Sequence, residues 1–145
     1  MESKKDKALA RFGKGFNCAQ AVISVFCEKY SMDLETALKI SCGLGAGMRS
    51  GEVCGAVSGA VLVVGLKYGH HIAEDKESKA NCYARTEEFL NEFRKKDKTI
   101  ICRDILGVDI STEDGRKQAQ DRDLFSTICD NVVGNAVTIL EELGY

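Results

Sequence analysis

Apolar and polar positions along this 145-residue chain recur mostly with a helical period. Lys5 to Arg11 reads as a first amphipathic helix, ended by Gly13 and Gly15. Asn17 is placed to cap a second, running to about Tyr30, with Val22, Val25 and Phe26 on one side and Glu28 and Lys29 wetting its end. Asp33 caps a third, with Leu34, Ala37, Leu38 and Ile40 predicted to face inward. It runs into Ser41-Cys42-Gly43-Leu44-Gly45-Ala46-Gly47, a glycine-dense stretch expected to be a loop with unusual backbone angles.

Gly51 to Tyr68 is predicted to be the central helix, because Val53 to Leu66 is apolar on every face. Its β-branched valines could also form a buried strand, but the run exceeds the usual strand length of about four to eight residues. Gly51, Gly55 and Gly59 lie four apart, and an interior glycine costs a helix about 1 kcal/mol relative to alanine. Close packing must offset that cost. With Ala56 and Ala60 they leave a flank without bulk, where a backbone or a cofactor can approach.

A long helix follows from about Asp75 to Lys96, with Ala80, Tyr83, Ala84, Leu90 and Phe93 inside and Glu87, Glu88, Glu92, Arg94, Lys95 and Lys96 wet. A short one, Ile100 to Leu106, ends at Gly107, and Ser111-Thr112-Glu113-Asp114 has the chemistry of another start. The last helix is predicted from Thr127 to Leu143, stopping at Gly144. The pattern predicts an all-α fold: one domain over residues 1–145, a helical bundle around a buried, glycine-rich central helix.

Composition narrows the functional classes. The chain has no proline, where average usage of about 5% would give roughly seven. That disfavours a disordered linker, a polyproline segment and a loop-dominated sandwich. Net charge is −2, so no nucleic-acid partner is expected. The charged segment Met1 to Lys7 does not read as a secretory signal, and Val53 to Leu66 is too short to span a bilayer of about 30 Å. The expectation is a cytoplasmic protein without membrane insertion, whose thiols stay reduced.

Seven cysteines, an odd number, are too few for a disulfide scaffold. Four fall near predicted helix beginnings: Cys18 after Asn17, Cys54 in a first turn capped by Ser50, Cys102 three residues after Thr99, and Cys129 three after Ser126. Free amides and the positive end of the helix dipole favour a thiolate there. A small buried hydrophobe is the competing reading for these four. It is the default for Cys27, Cys42 and Cys82. The chain has no Cys-x-x-Cys, and the four are separated by 36, 48 and 27 residues, which excludes zinc-ribbon, bacterial ferredoxin and thioredoxin motifs. Any shared site must be assembled by the tertiary fold. His70 and His71 could contribute at most one ligand, with a surface or capping role the default. The glycine-rich Gly43 to Gly47 lacks the strand and Gly-Lys-Ser/Thr of a phosphate loop. Glu87-Glu88 and Glu141-Glu142 read as solvated charge.

Phe16-Asn17-Cys18-Ala19-Gln20-Ala21-Val22 and Cys54-Gly55-Ala56-Val57-Ser58-Gly59, followed by Cys102-Arg103-Asp104-Ile105-Leu106-Gly107 and Cys129-Asp130-Asn131-Val132-Val133, resemble the motifs of the redox-active C-GCAxxG-C-C family. The likeness covers nearly the whole chain and leaves Cys27, Cys42 and Cys82 outside the pattern. It also extends to the cysteine-bearing N-terminal part of split-Soret cytochromes, without their Cys-x-x-Cys-His haem attachment motif. The resemblance implies a redox protein whose Cys18, Cys54, Cys102 and Cys129 bind an iron–sulfur cluster, of the 2Fe–2S type, for electron transfer. The small flank at Gly55 and Gly59 would let the cluster approach. The alternatives are metal-free thiol–disulfide chemistry at the same cysteines and a structural four-cysteine zinc site. An electron-transfer role calls for a redox partner protein. A homodimer stays open, since small helical domains often pair through an apolar helix face.

Overall fold

Side-chain caps set most of the helix starts. The structure, a computed structural model, describes residues 2–145 and contains eight α-helices and no strand among them. α1 (Lys4–Gly13) begins with a reciprocal pair: Ser3 accepts from the Asp6 amide, and Asp6 from the Ser3 amide. α2 (Cys18–Ser24) repeats the device with Asn17 and Gln20. Asp33, Asp75 and Thr112 cap α3 (Leu34–Ser41), α5 (Lys76–Asp97) and α7 (Glu113–Asp121). α4 (Gly55–Tyr68), α6 (Cys102–Leu106) and α8 (Asp130–Glu142) start without a side-chain cap. No helix among the described residues is long and apolar enough to cross a membrane.

The all-α class is therefore the one observed. α4 packs against α2, α5 and α8, burying Ala56, Val57, Ala60, Val63 and Val64 in one core with Val22 of α2, Phe26 just beyond it, Phe89 and Phe93 of α5, and Val133 and Val137 of α8. Gly59 is explained by α2. A Cβ there would lie 2.6 Å from the Ala19 carbonyl oxygen and 2.9 Å from Ala19 Cα. The two helices cross too closely for a side chain.

Several expectations need correction. The second helix stops at Ser24, and a 3₁₀ turn over Cys27–Tyr30 follows. The Ser24 carbonyl, which a continuing helix would use, accepts from the Arg11 guanidinium at 3.0 Å and from the Cys27 thiol at 3.6 Å. α4 begins at Gly55 rather than Gly51, because Val53 pairs with Ile101 in an isolated antiparallel bridge. It is not enclosed on every face either, as Val61, Leu62 and Leu66 stay half-buried. Ile40 is exposed, as are Ala80, Tyr83 and Ala84. The register of α5 is set by the large buried rings of Phe89 and Phe93, which turns Cys82, Arg85 and Thr86 inward instead.

The predicted loop with unusual angles is present. Ala46, Gly47, Met48 and Arg49 have φ of 57°, 62°, 59° and 56°, a left-handed turn. For residues other than glycine this conformation costs about 1–2 kcal/mol each, so the surroundings must hold it. The Glu52 amide donates to the Gly47 carbonyl at 3.0 Å, and Asn17 Nδ2 donates to the Cys42 carbonyl at 2.8 Å.

Candidate functional site

The N-terminal ends of α2, α4 and α6 and the entry to α8 meet around one cavity of about 160 Å³. Cys18, Cys54, Cys102 and Cys129 all stand on its wall. Phe12, Phe125, Ile105 and Leu106 supply apolar surface, while Gly47 and Gly55 bring backbone to its edge. No lysine, arginine or histidine lines it. All seven cysteines are free thiols.

Each thiol reaches the cavity by a different route. Cys18 is the first residue of α2, held there by the Asn17–Gln20 pair. Cys54 immediately precedes α4; its carbonyl accepts from the Val57 amide at 2.9 Å, and the Ala56 and Val57 amides of the first turn lie near enough to its sulfur to favour the thiolate. Ser50 does not cap this helix. Cys102 opens α6 without a side-chain cap, since Thr99 Oγ1 accepts from the Ile101 amide instead, at 3.1 Å. Cys129 departs furthest from expectation. It closes a π-helical turn, Phe125–Cys129, that continues directly into α8, so it is not in a first turn. Ser126 donates its hydroxyl to the Asp123 carbonyl at 3.4 Å and caps nothing.

Cys54 and Cys102 are far apart in sequence but stitched together by backbone. The Cys54 amide donates to the Ile100 carbonyl at 2.7 Å, and the Cys102 amide to the Glu52 carbonyl at 2.6 Å. Arg103 Nη1 locks the same seam from outside, bonding Glu52 Oε1 at 2.8 Å and the Gly51 carbonyl at 3.2 Å.

Electrostatics follows from apolar walls and crowding. Burial pushes the Cys54 thiol up to about 11, against the pull of its two amides. Burial, then the neighbouring Cys54 and Cys129, push Cys102 up to about 12. The Cys18 and Cys129 thiols are neighbours on the wall, and their mutual interaction raises the first and lowers the second. Ionisation of several thiols would place like charges together in a dry cavity that offers no basic side chain. Among the described residues, no three His, Cys, Asp or Glu side chains stand close enough to hold a single metal ion between them.

The remaining predicted positions lie elsewhere. Gly55 borders the cavity, and a Cβ there would sit 3.3 Å from Cys18 Cβ. Gly59 does not: its open side is filled by the Ala19 backbone rather than left for a cofactor. Cys27 is buried, Cys42 exposed and Cys82 half-buried, all off the wall. His70 and His71 are exposed beyond α4. Sequence reading missed Phe12, Phe125 and the left-handed turn as parts of the wall, and the second bond of Asn17. The Asn-x-x-Gln capping pair was the available signal for Asn17; nothing local marks the two phenylalanines.

The described residues form an all-α fold that gathers four free thiols from four chain segments into one apolar cavity. A family model described as "Putative redox-active protein (C_GCAxxG_C_C)" matches residues 16–143, and the chain belongs to that family. No curated protein and no solved structure matches the chain. Nothing in these comparisons extends the likeness to split-Soret cytochromes.

Proposed function

We propose that Cys18, Cys54, Cys102 and Cys129 hold an iron–sulfur cluster of the 2Fe–2S type and that the protein transfers electrons. The observation that carries this reading is four thiols on one apolar wall without a basic side chain. Thiols at about 11 and 12 stay protonated in that setting, and only a strongly positive occupant makes four thiolates compatible. Such a cluster supplies one-electron redox chemistry, with a potential set by burial and by hydrogen bonds to its sulfurs. The chain's own residues prepare for it. The Ala56 and Val57 amides face the Cys54 sulfur, Cys129 is the thiol that ionises first, and Phe12 and Phe125 keep water out.

Anaerobic purification, visible absorbance and analysis for iron, sulfide and zinc test the reading. Iron and sulfide are expected, lost on serine substitution of any of the four cysteines and kept in Cys27→Ser. Zinc without iron, a colourless metal-free protein, or loss of metal in Cys27→Ser alone overturns it. One second reading has an observation behind it, the neighbouring Cys18 and Cys129 thiols, each of which shifts the other's ionisation. As a metal-free dithiol they would form one disulfide, releasing two protons and two electrons to an oxidised partner. That reading requires a metal-free protein that loses two mass units on mild oxidation, unless Cys18 or Cys129 is replaced.

A further inference from the structure

α1 carries Lys4, Lys7 and Arg11, and Lys14 follows directly at its C-terminal end, at spacings that place the four along one flank of the helix. Lys29 joins Lys4, Lys7 and Arg11 around a cleft of about 260 Å³ where Glu28 is the one carboxylate. None of these five cations is in an ion pair among the described residues. Lys4 and Lys29 lie over the rings of Phe26 and Tyr30 at 5.7 and 5.6 Å, and Arg11 donates to the Ser24 carbonyl, so all three heads are positioned rather than trailing in solvent. In a chain of net charge −2, this is a local reversal of sign.

The other flank of α1 reaches the thiols. Leu9, Phe12 and Gly13 border an open, mostly apolar groove of about 490 Å³ that Phe16 and Phe125 also line, with Asp130 as its one carboxylate. Phe12, Asn17 and Phe125 line both this groove and the thiol cavity, so the two are divided by side chains they share. A helix is about 10 Å across. A partner covering about 800 Å² spans roughly 30 Å, enough to take in the cations and the groove together.

Resting on the electron-transfer reading above, we propose that α1 is the docking surface for an acidic electron-carrier protein. Its carboxylates lie against Lys4, Lys7, Arg11, Lys14 and Lys29, and its redox centre is brought over the Phe12–Phe125 groove. One electron crosses there. What one centre loses the other gains, and no bond forms or breaks. The cations set the encounter and its orientation, and the shared phenyl rings keep the path short and dry.

An acidic flavodoxin serves as the probe, its binding measured by calorimetry at about 20 and 200 mM NaCl. K7E/K14E changes two exposed lysines; K96E/K117E makes the same change in net charge on α5 and α7. The expectation is an affinity about tenfold weaker in K7E/K14E, within about twofold of the parent in K96E/K117E, and falling with salt only while the α1 cations are present. No binding at low salt, equal weakening by both pairs, or indifference to K7E/K14E overturns the proposal. Iron content is measured on the same samples, which separates the two ideas. Lysine-dependent docking by iron-free protein overturns the cluster and the electron crossing but keeps the α1 docking surface, and iron-loaded protein that ignores K7E/K14E overturns the docking surface alone.

Discussion

Gly59 and Gly65 stand on the same helix, six residues apart, and predict opposite outcomes for the same substitution. In Gly65→Ala the new Cβ meets nothing within 4 Å. Only helix propensity acts, and stability should rise by about 1 kcal/mol. In Gly59→Ala the same gain is offered, but the Cβ lands 2.6 Å from the Ala19 carbonyl oxygen and 2.9 Å from its Cα. These are backbone atoms, so no rotamer change relieves the overlap. α2 must retreat from α4, or both must bend. Overpacking of this kind costs about 1–3 kcal/mol, and with a steric partner this rigid we take the upper half of that range, leaving a net loss of about 1–2 kcal/mol. The retreat also carries Cys18, next to Ala19, away from Gly55 and Cys54. Urea unfolding of both variants, with iron content measured in parallel, checks the account. Gly65→Ala should raise the midpoint and keep the metal, while Gly59→Ala should lower both. If Gly59→Ala stabilises the protein as Gly65→Ala does, α2 and α4 are not in the contact described and the explanation of the glycine fails.

Two further outcomes follow from hydrogen bonds and protons. Asn17→Ala removes both the α2 cap and the bond to the Cys42 carbonyl, a loss of about 2–3 kcal/mol, whereas Asn17→Ser keeps the cap and should lose about 1 kcal/mol; equal thermal shifts in the two would show that the second bond contributes nothing. Thiols at about 11 and 12 in the folded protein, against the ordinary 9.0, stabilise the metal-free fold below pH 9, and that contribution is lost as pH rises toward 11 and 12. Cys54 alone accounts for about 3 kcal/mol of that loss. Urea midpoints under reducing conditions should therefore fall above pH 9, and less steeply in Cys54→Ala; a flat profile, or identical slopes, would contradict the burial described.

Legibility varied with the range of the interaction responsible. Asn17 and Asp33 were readable as caps because the cap and its target amide lie within three residues. The left-handed turn announced itself through glycine density, since few other residues tolerate positive φ. The break after Ser24 could not be read, because it depends on Arg11 taking a carbonyl thirteen positions away. Nor could the orientation of Tyr83, which follows from how Phe89 and Phe93 seat in the core. Gly59 was recognised as a site of close approach, but the approaching body is the Ala19 backbone.

The cysteines show the same division. Sequence alone identified which four thiols follow a common pattern, and made an all-helical chain without proline the natural reading, because caps, glycine stops and helical periodicity are local and additive. It also established that no two of the four share a short motif. Only the tertiary structure decided that all four face one cavity, that Cys129 enters through a π turn rather than a helix start, and that Cys18 and Cys129 become neighbours there. The reason is physical. Proximity across 27 to 111 residues is fixed by how buried faces and glycine contacts let helices cross, and local propensity carries no information about where two helix ends will meet.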